Sequence, residues 1–476
     1  MNLRPAFHAR YSAILCLGML AAAVASCSRD SIIAPSRVAG SSGPSLGKSP
    51  TALAVTSTNP PFGDQGTTID VHILGSGFTS GAQATWLLHG NADPAHVRTN
   101  TTTFISSTEL VANITIASDA QLAFWDVQVA LIGGKNGVGS ECFEVTSAQV
   151  LSSRSVNIVY RMNNLLQVVG YYNGDEAFVI DEASRFVDLG SGQAWGLDPD
   201  GSIAVGRNGN QQGAAWVRQA DGSWTTEALP PAPNSVEQNA TSAARTASGT
   251  LLVAGWDGTP GLKHGEAFNR PVVWQRAGSS WSNPVVYAYP NGAQSASART
   301  VNGLGQIAGN VDASGVGAVW DNPATPTRLD GLPDAINSSG TLIVGSRPAG
   351  STTIPVYWWR NSVTGLWNTT GVPLPMSADA KCNAGEARGL NDAGVIVGYS
   401  CNAAGRNQAT VWLLDLSGVS PSLVGTPTLL PGLGVKNPST NDLSSAAGVN
   451  QSPPYVVAGS AISSNNQRLP VRWQLR

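Results

Sequence analysis

Charge is the scarcest property of this 476-residue chain. Only 12% of its residues are Asp, Glu, Lys or Arg, and the formal net charge is -3. Its cations are 22 arginines and five lysines set singly along the chain, so there is no basic stripe that could follow a phosphate backbone. Histidine is scarce too. His8 lies in the N-terminal leader, His72, His89 and His96 in the first half of the chain, and His264 alone in the rest. A serine triad needs an imidazole held by a carboxylate, and a propeller-type copper or zinc site needs several imidazoles, so His264 in its Lys263-His264-Gly265-Glu266 loop supplies neither. No CxxC pair, HExxH stretch or Gly-rich phosphate loop occurs, and no cofactor is implied. What is abundant is 53 Gly, 29 Pro and 14 Trp on a 42% apolar background, which reads as a turn-rich all-β protein and excludes disorder.

The first 26 residues read as an export signal. Arg4, His8 and Arg10 form a basic start, and Ala13 to Ala25 an apolar stretch too short to span a bilayer. Val24-Ala25-Ser26-Cys27 resembles the bacterial lipobox, which implies lipidation of Cys27, and Ser28 in the following position implies sorting to the outer membrane. The competing reading is cleavage after Ala23-Val24-Ala25 and release as a secreted protein. Residues 27–50, rich in Ser, Pro and Gly, are a flexible tether. Cys16 falls in the signal, and Cys142 reads as a small buried hydrophobe near a strand end. Cys382 and Cys401 flank a hairpin that turns at Asn391-Asp392-Ala393-Gly394. They are either disulfide-bonded, as an oxidising compartment permits, or two free thiols.

Residues 51–146 alternate with period two. Thr68 to Leu74, Leu110 to Ile116 and Trp125 to Val129 are half-buried strands bounded by Gly, Ser or Asp, which predicts a β-sandwich. Pro60 and Gly63 in the opening turn, Gly75-Ser76-Gly77-Phe78, Ser106-Ser107-Thr108-Glu109-Leu110 and Gly133-Gly134-Lys135-Asn136-Gly137 together resemble the IPT/TIG family of immunoglobulin-like domains. That resemblance implies a spacer or a contact module for protein or carbohydrate.

Residues 147–476 repeat. An apolar residue, Asn or Asp, a short turn and two or three apolar residues lead to a Gly at 170, 206, 255, 309, 345, 398 and 459, at a mean spacing of about 48 residues. After each Gly comes an aromatic ending a short apolar strand: Phe178, Trp216, Trp274, Trp320, Trp358, Trp412 and Trp473. Each copy reads as four strands, and one such small sheet buries its faces only against neighbours, which predicts a β-propeller of seven blades. Two copies depart from the pattern. The one at Arg245 to Gly255 lacks the Asn and the one at Gly448 to Gly459 carries Pro453-Pro454, so six regular blades is the other count. The chain ends after the third strand of the last copy, and Val145 to Ser155 is expected to supply the fourth. The unit Leu390-Asn391-Asp392-Ala393-Gly394-Val395-Ile396-Val397-Gly398 with its trailing Trp412 resembles the HAF family of extracellular repeats, a name that implies no activity.

Candidate chemistry is sparse. Asp198-Pro199-Asp200-Gly201 and Asn391 to Gly394 have a calcium-loop look, but both fall on the repeat's hairpin turn and lack the later ligands. Glu227, Glu237, Glu266 and Glu386 lie outside the repeat core with nothing in the sequence to pair them. Trp281, Tyr287 and Tyr289, with Trp256 from another loop, are the candidate ligand-contacting aromatics, because sugar rings stack on such faces. The expectation is a monomeric, non-enzymatic binding or display protein at the cell surface, directed to protein or polysaccharide and touching the membrane only through its lipid. The alternative is a polysaccharide hydrolase or lyase built on propeller carboxylates.

Overall fold

A computed structural model describes residues 52–475, except 118, 119, 122, 147, 261–266, 313, 314, 434–440 and 464. The expected signal, tether and Cys27, and the loop holding His264 and Glu266, lie outside the described residues. Among those described, every regular element is a strand. The chain divides into two compact units, Met1–Val145 and Thr146–Arg476.

In the first unit, a four-stranded antiparallel sheet runs in the order Ala54–Asn59, Thr68–Ser76, Glu109–Ile116, Val97–Ser106. A second sheet runs Phe62–Asp64, Asn136–Thr146, Phe124–Ala130, Gln83–Leu88, Asn91–Ala92. The alternation places Val71, Ile73, Leu110, Ala112 and Ile114 of one sheet against Trp86, Trp125, Val127, Val129 and Phe143 of the other, which is the sandwich its period-two pattern predicts. Phe78 folds into that core at 2% exposure. Cys142 is buried there as well, at 6% exposure in the same core, as its reading as a small buried hydrophobe expects.

The second unit is a succession of antiparallel sheets of about four strands. The first holds Ile158–Met162, Val168–Tyr172, Glu176–Ile180 and the start of the long strand Phe186–Leu197. The end of that strand opens the second sheet, followed by Ile203–Asn208, Gly213–Arg218 and Trp224–Ala228. The third is Glu237–Arg245, Leu251–Pro260 and Ala267–Ala277 with two short edge strands, and the fourth runs Ala296–Val301, Ile307–Val311, Val316–Trp320, Pro326–Leu329. The fifth runs Leu332–Ile336, Leu342–Ala349, Thr352–Trp359, Val372–Pro373, and the sixth Gly385–Leu390, Val395–Cys401 and Asn407–Asp415 with two short edge strands. The seventh holds Ser444–Val449, Val456–Ile462 and Arg468–Gln474. Its fourth strand is Gln149–Val150 from the start of the unit, with Gln149 opposite Arg472 and Val150 opposite Val471.

Consecutive sheets share cores, and the succession closes on itself. Alternate residues of each second strand face opposite neighbours: Ala204 packs toward the first sheet and Val205 toward the third, Ile396 toward the fifth and Val397 toward the seventh. This two-sided burial is why those strands read as unbroken apolar runs. The last core joins Ala447 and Ala458 of the seventh sheet to Val168 and Phe178 of the first, so the sheets form a propeller-like ring.

The repeat aromatics sit in these cores at 0–2% exposure. From the second sheet onward each Trp Nε1 donates to the connection leading into its own sheet. The acceptors are the carbonyls of Leu189, Pro230, Ala288, Pro375 and Pro431 at 2.7–3.0 Å, and Asp330 Oδ1 at 3.1 Å for Trp358. Tryptophan recurs because it fills the core and satisfies the carbonyl or carboxylate that each crossover buries there.

Candidate functional site

The innermost strands of the ring share one irregularity. Each carries a one-residue bulge at the same place, leaving Tyr160, Trp195, Thr241, Arg299, Asp334, Arg388 and Ala447 unpaired. Opposite the residue before each bulge stands the repeat glycine: Gly170 faces Val159, Gly309 faces Ala298, Gly398 faces Ala387, and so on round the ring. A Cβ on any of these seven glycines would run into the inner strand's carbonyl oxygen. The repeated Gly is therefore the steric condition for the bulge, and the bulge re-aims side chains toward the axis.

The space these strands enclose is a cavity of about 430 Å³. Its wall takes the residue after every bulge, Arg161, Gly196, Ser242, Thr300, Ala335, Gly389 and Gly448, with a collar of Met162, Leu197, Val301, Ile336, Leu390 and Val449. The ionisable residues in its lining are Arg161, Arg245 and Arg388, and among the described residues no Asp, Glu or aromatic residue takes part. At the rim lie the hairpin turns. Asn163, Asn302 and Asn391 each accept two backbone amides through Oδ1 at 3.0–3.1 Å, and Thr246 does the same work with one bond at 3.1 Å where the third copy lacks Asn. The same asparagines tie neighbouring sheets together: Asn163 Nδ2 donates to the Asp198 carbonyl at 3.1 Å and Asn391 Nδ2 to that of Asn450 at 2.9 Å. The two calcium-like sequences are thus turn chemistry. Asp198 takes both arms of Arg245, and Asp200 lies 2.7 Å from the same guanidinium.

Below the cavity floor is a charged cluster. Arg299 Nη2 donates to Asp334 Oδ1 at 3.0 Å. Arg388 donates to Glu386 Oε2 at 2.9 Å and to Ser445 Oγ at 2.8 Å, and its guanidinium lies 4.8 Å from the Tyr399 ring. Burial alone would raise the Asp334 carboxyl, but Arg299, Arg161 and Arg388 outweigh it and hold it below its ordinary value. Tyr160, stacked on Tyr171 with ring centres 5.9 Å apart and tilted against Trp195 at 5.3 Å, is pushed up to about 12, chiefly by burial.

The aromatics singled out from sequence do not share a face. Trp281 donates to Glu227 Oε2 at 2.8 Å and packs against the core between the second and third sheets. Tyr287 is 6% exposed, bonds the Gly305 carbonyl at 3.1 Å and, with Tyr289, belongs to the next core. Trp256 is half-buried within Leu251–Pro260, opposite Asn239 and Pro271. None of the four lines the axial cavity. Trp281, Tyr287 and Tyr289 pack against core edges, whereas Trp256 stands within a strand paired on both sides. Glu227 is likewise held by Arg276 at 3.0 Å. Cys382 and Cys401 are disulfide-bonded with Cα atoms 5.6 Å apart, Cys401 ending a strand whose amide bonds the Ala384 carbonyl.

Sequence reading missed the axial arginines and Asp334. The signal was present: two residues before the turn Asn or Asp, Gly196, Thr300, Ala335, Gly389 and Gly448 are small, and Arg161 alone is not.

No protein-family description matches the chain, and no curated protein matches it. Among solved structures, it is similar to a protein of unknown function from Bacteroides thetaiotaomicron at 11% identity and a TM-score of 0.35, covering 88% of this chain and 98% of that one. It is also similar to TolB from Acinetobacter baumannii (9% identity, TM-score 0.26, 74% of this chain and 77% of that one). A third is virginiamycin B lyase from Staphylococcus aureus (9%, TM-score 0.27, 83% and 100%). Likeness at this level implies nothing about activity or ligand.

Proposed function

We propose that this chain is an exported, lipid-anchored binding protein, made of an immunoglobulin-like sandwich and a seven-bladed propeller with HAF-type repeats. It holds a protein or polysaccharide partner at the cell surface without altering it. The observation that carries this reading is the axial cavity, whose wall is made of small, hydroxylated, amide and aliphatic residues with three arginines and, among the described residues, no carboxylate. A glycoside hydrolase of the ordinary kind needs two free carboxyls, one with a raised pKa. The carboxylates at the axis are instead each bound to a guanidinium, and Asp334 is lowered. The Cys382–Cys401 bond supports an oxidising compartment.

The test is affinity electrophoresis of the full-length protein through a panel of acidic and neutral polysaccharides, followed by sizing of the polymer, alongside surface binding of cell-envelope proteins. Retention with unchanged polymer length is expected, and release of reducing ends would overturn the reading. Palmitate should label the wild type and not Cys27→Ala. Equal labelling of both would remove the anchor.

A further inference from the structure

The layer of residues just after the bulges is small in six sheets, and Arg161 is the exception that reaches into it. Its neighbours among the cations each have a carboxylate: Arg299 has Asp334, Arg388 has Glu386, and Arg245 has Asp198 and Asp200. Arg161 is held by neutral carbonyls, Nη1 on Tyr160 at 3.0 Å and Nη2 on Asp334 at 2.8 Å. The three axial guanidiniums thus face two carboxylates, a surplus of one positive charge at the floor of a confined cavity. Uncompensated charge in such a place is costly unless an opposite charge joins it. Burial, with Arg299 and Arg388 beside it, holds the Arg161 guanidinium below its ordinary value against the opposing pull of the Asp334 carboxylate. The same cavity is edged by Met162, Leu197, Val301, Ile336, Leu390 and Val449, whose side chains lie largely in the cores between sheets, and among the described residues no flat aromatic face for a sugar lines it.

We propose that the axial cavity is a carboxylate-binding site for a ligand that bears one carboxylate on a compact apolar body, the carboxylate on Arg161 and the body in the collar. This deepens the reading of the second unit as a binding propeller and rests on it. A monoanion matches the single surplus charge, and guanidinium meets carboxylate through paired N–H groups. The same chemistry comes from a free small acid or from the C-terminal residue of a polypeptide.

The experiment is calorimetric titration of the full-length protein with 4-methylpentanoate, with a tetrapeptide ending in leucine, and with the amide of each. Binding of the acid is expected, at least tenfold tighter than its amide. A free-ended peptide that also binds assigns the site to chain termini, and one that does not assigns it to small acids. Arg161→Gln should weaken the acid tenfold or more. Ala247→Trp, at an exposed position of the cavity lining and outside the cores, should weaken the acid tenfold or more and covers the case in which Arg161→Gln misfolds. Equal affinity of acid and amide would overturn the proposal, as would glucuronate binding in place of both. Cleavage of peptide or polymer would overturn only the non-enzymatic reading, because the preference for carboxylate is read on 4-methylpentanoate, which has nothing to cleave.

Discussion

The repeat glycines offer a stringent perturbation. In Gly398→Ala the new methyl would overlap the Glu386 carbonyl oxygen and sit 2.9 Å from Ala387 Cα and 3.0 Å from the Glu386 carbonyl carbon. All three are backbone atoms of the paired strand, so no rotamer change relieves the clash and the strands must separate at the bulge. Overpacking of this kind costs about 1–3 kcal/mol, and the ladder bond lost with it about 1 kcal/mol more. The stiffer unfolded chain returns about 0.4–1 kcal/mol, leaving a net loss of about 2 kcal/mol. The control is Gly222→Ala, in an outer turn at φ +85° with no atom within 4 Å of the new Cβ. It should cost only the left-handed backbone, about 1 kcal/mol. For the roughly 330 residues of the second unit, an unfolding entropy of about 0.7 kcal/mol/K makes these losses about 3 °C and about 1.5 °C in Tm. Differential scanning calorimetry of the two variants at one scan rate reads both. If Gly398→Ala melts no lower than Gly222→Ala, the link between repeat glycine and axial bulge is wrong.

Three further outcomes follow from the same contacts. Trp412→Phe keeps a six-membered ring but removes the fused one from a filled core and strands the Pro375 carbonyl that now accepts Nε1–H at 2.8 Å, and should cost about 2–4 kcal/mol in urea unfolding. Phe178 shows that the first sheet does without this bond, so the change should not prevent folding. Removing the Cys382–Cys401 bond, which spans 19 residues of sequence separation, should cost about 3 kcal/mol, with reductant lowering the wild-type Tm to that of Cys401→Ser. The Glu182 carboxyl is lowered from 4.5 to about 2, first by the Gln167 side-chain amide and also by Arg218. Because the folded value is the depressed one, its contribution is whole above pH 4.5 and drains away as pH falls toward 2. The Tm gap between wild type and Glu182→Gln should be constant near neutrality and close over that window.

Much of the fold was legible because its constraints are local and repeated. The Gly and Trp positions, the apolar triplets and the missing last strand are each imposed by one sheet's pairing with itself or its neighbour, so every copy shows them. The turn residues were legible for the same reason, including the exceptions, where Thr246 replaces Asn and Asn450 bonds the Val456 amide at 2.7 Å across a longer loop. The site was not. Trp281 and Tyr287 look alike in sequence, yet their different core edges become visible only once the loops are laid over the sheets.

By itself, then, the sequence determined an all-β chain of period-two strands followed by a glycine- and tryptophan-punctuated repeat, because strand pairing and turn formation are written within a few dozen residues. Only the tertiary structure decided what the repeat encloses. Arg161, Arg299, Asp334 and Arg388 come from four different copies, and they meet because ring closure brings equivalent inner-strand positions to one axis. Their charges act on one another there, across distances that no linear spacing records.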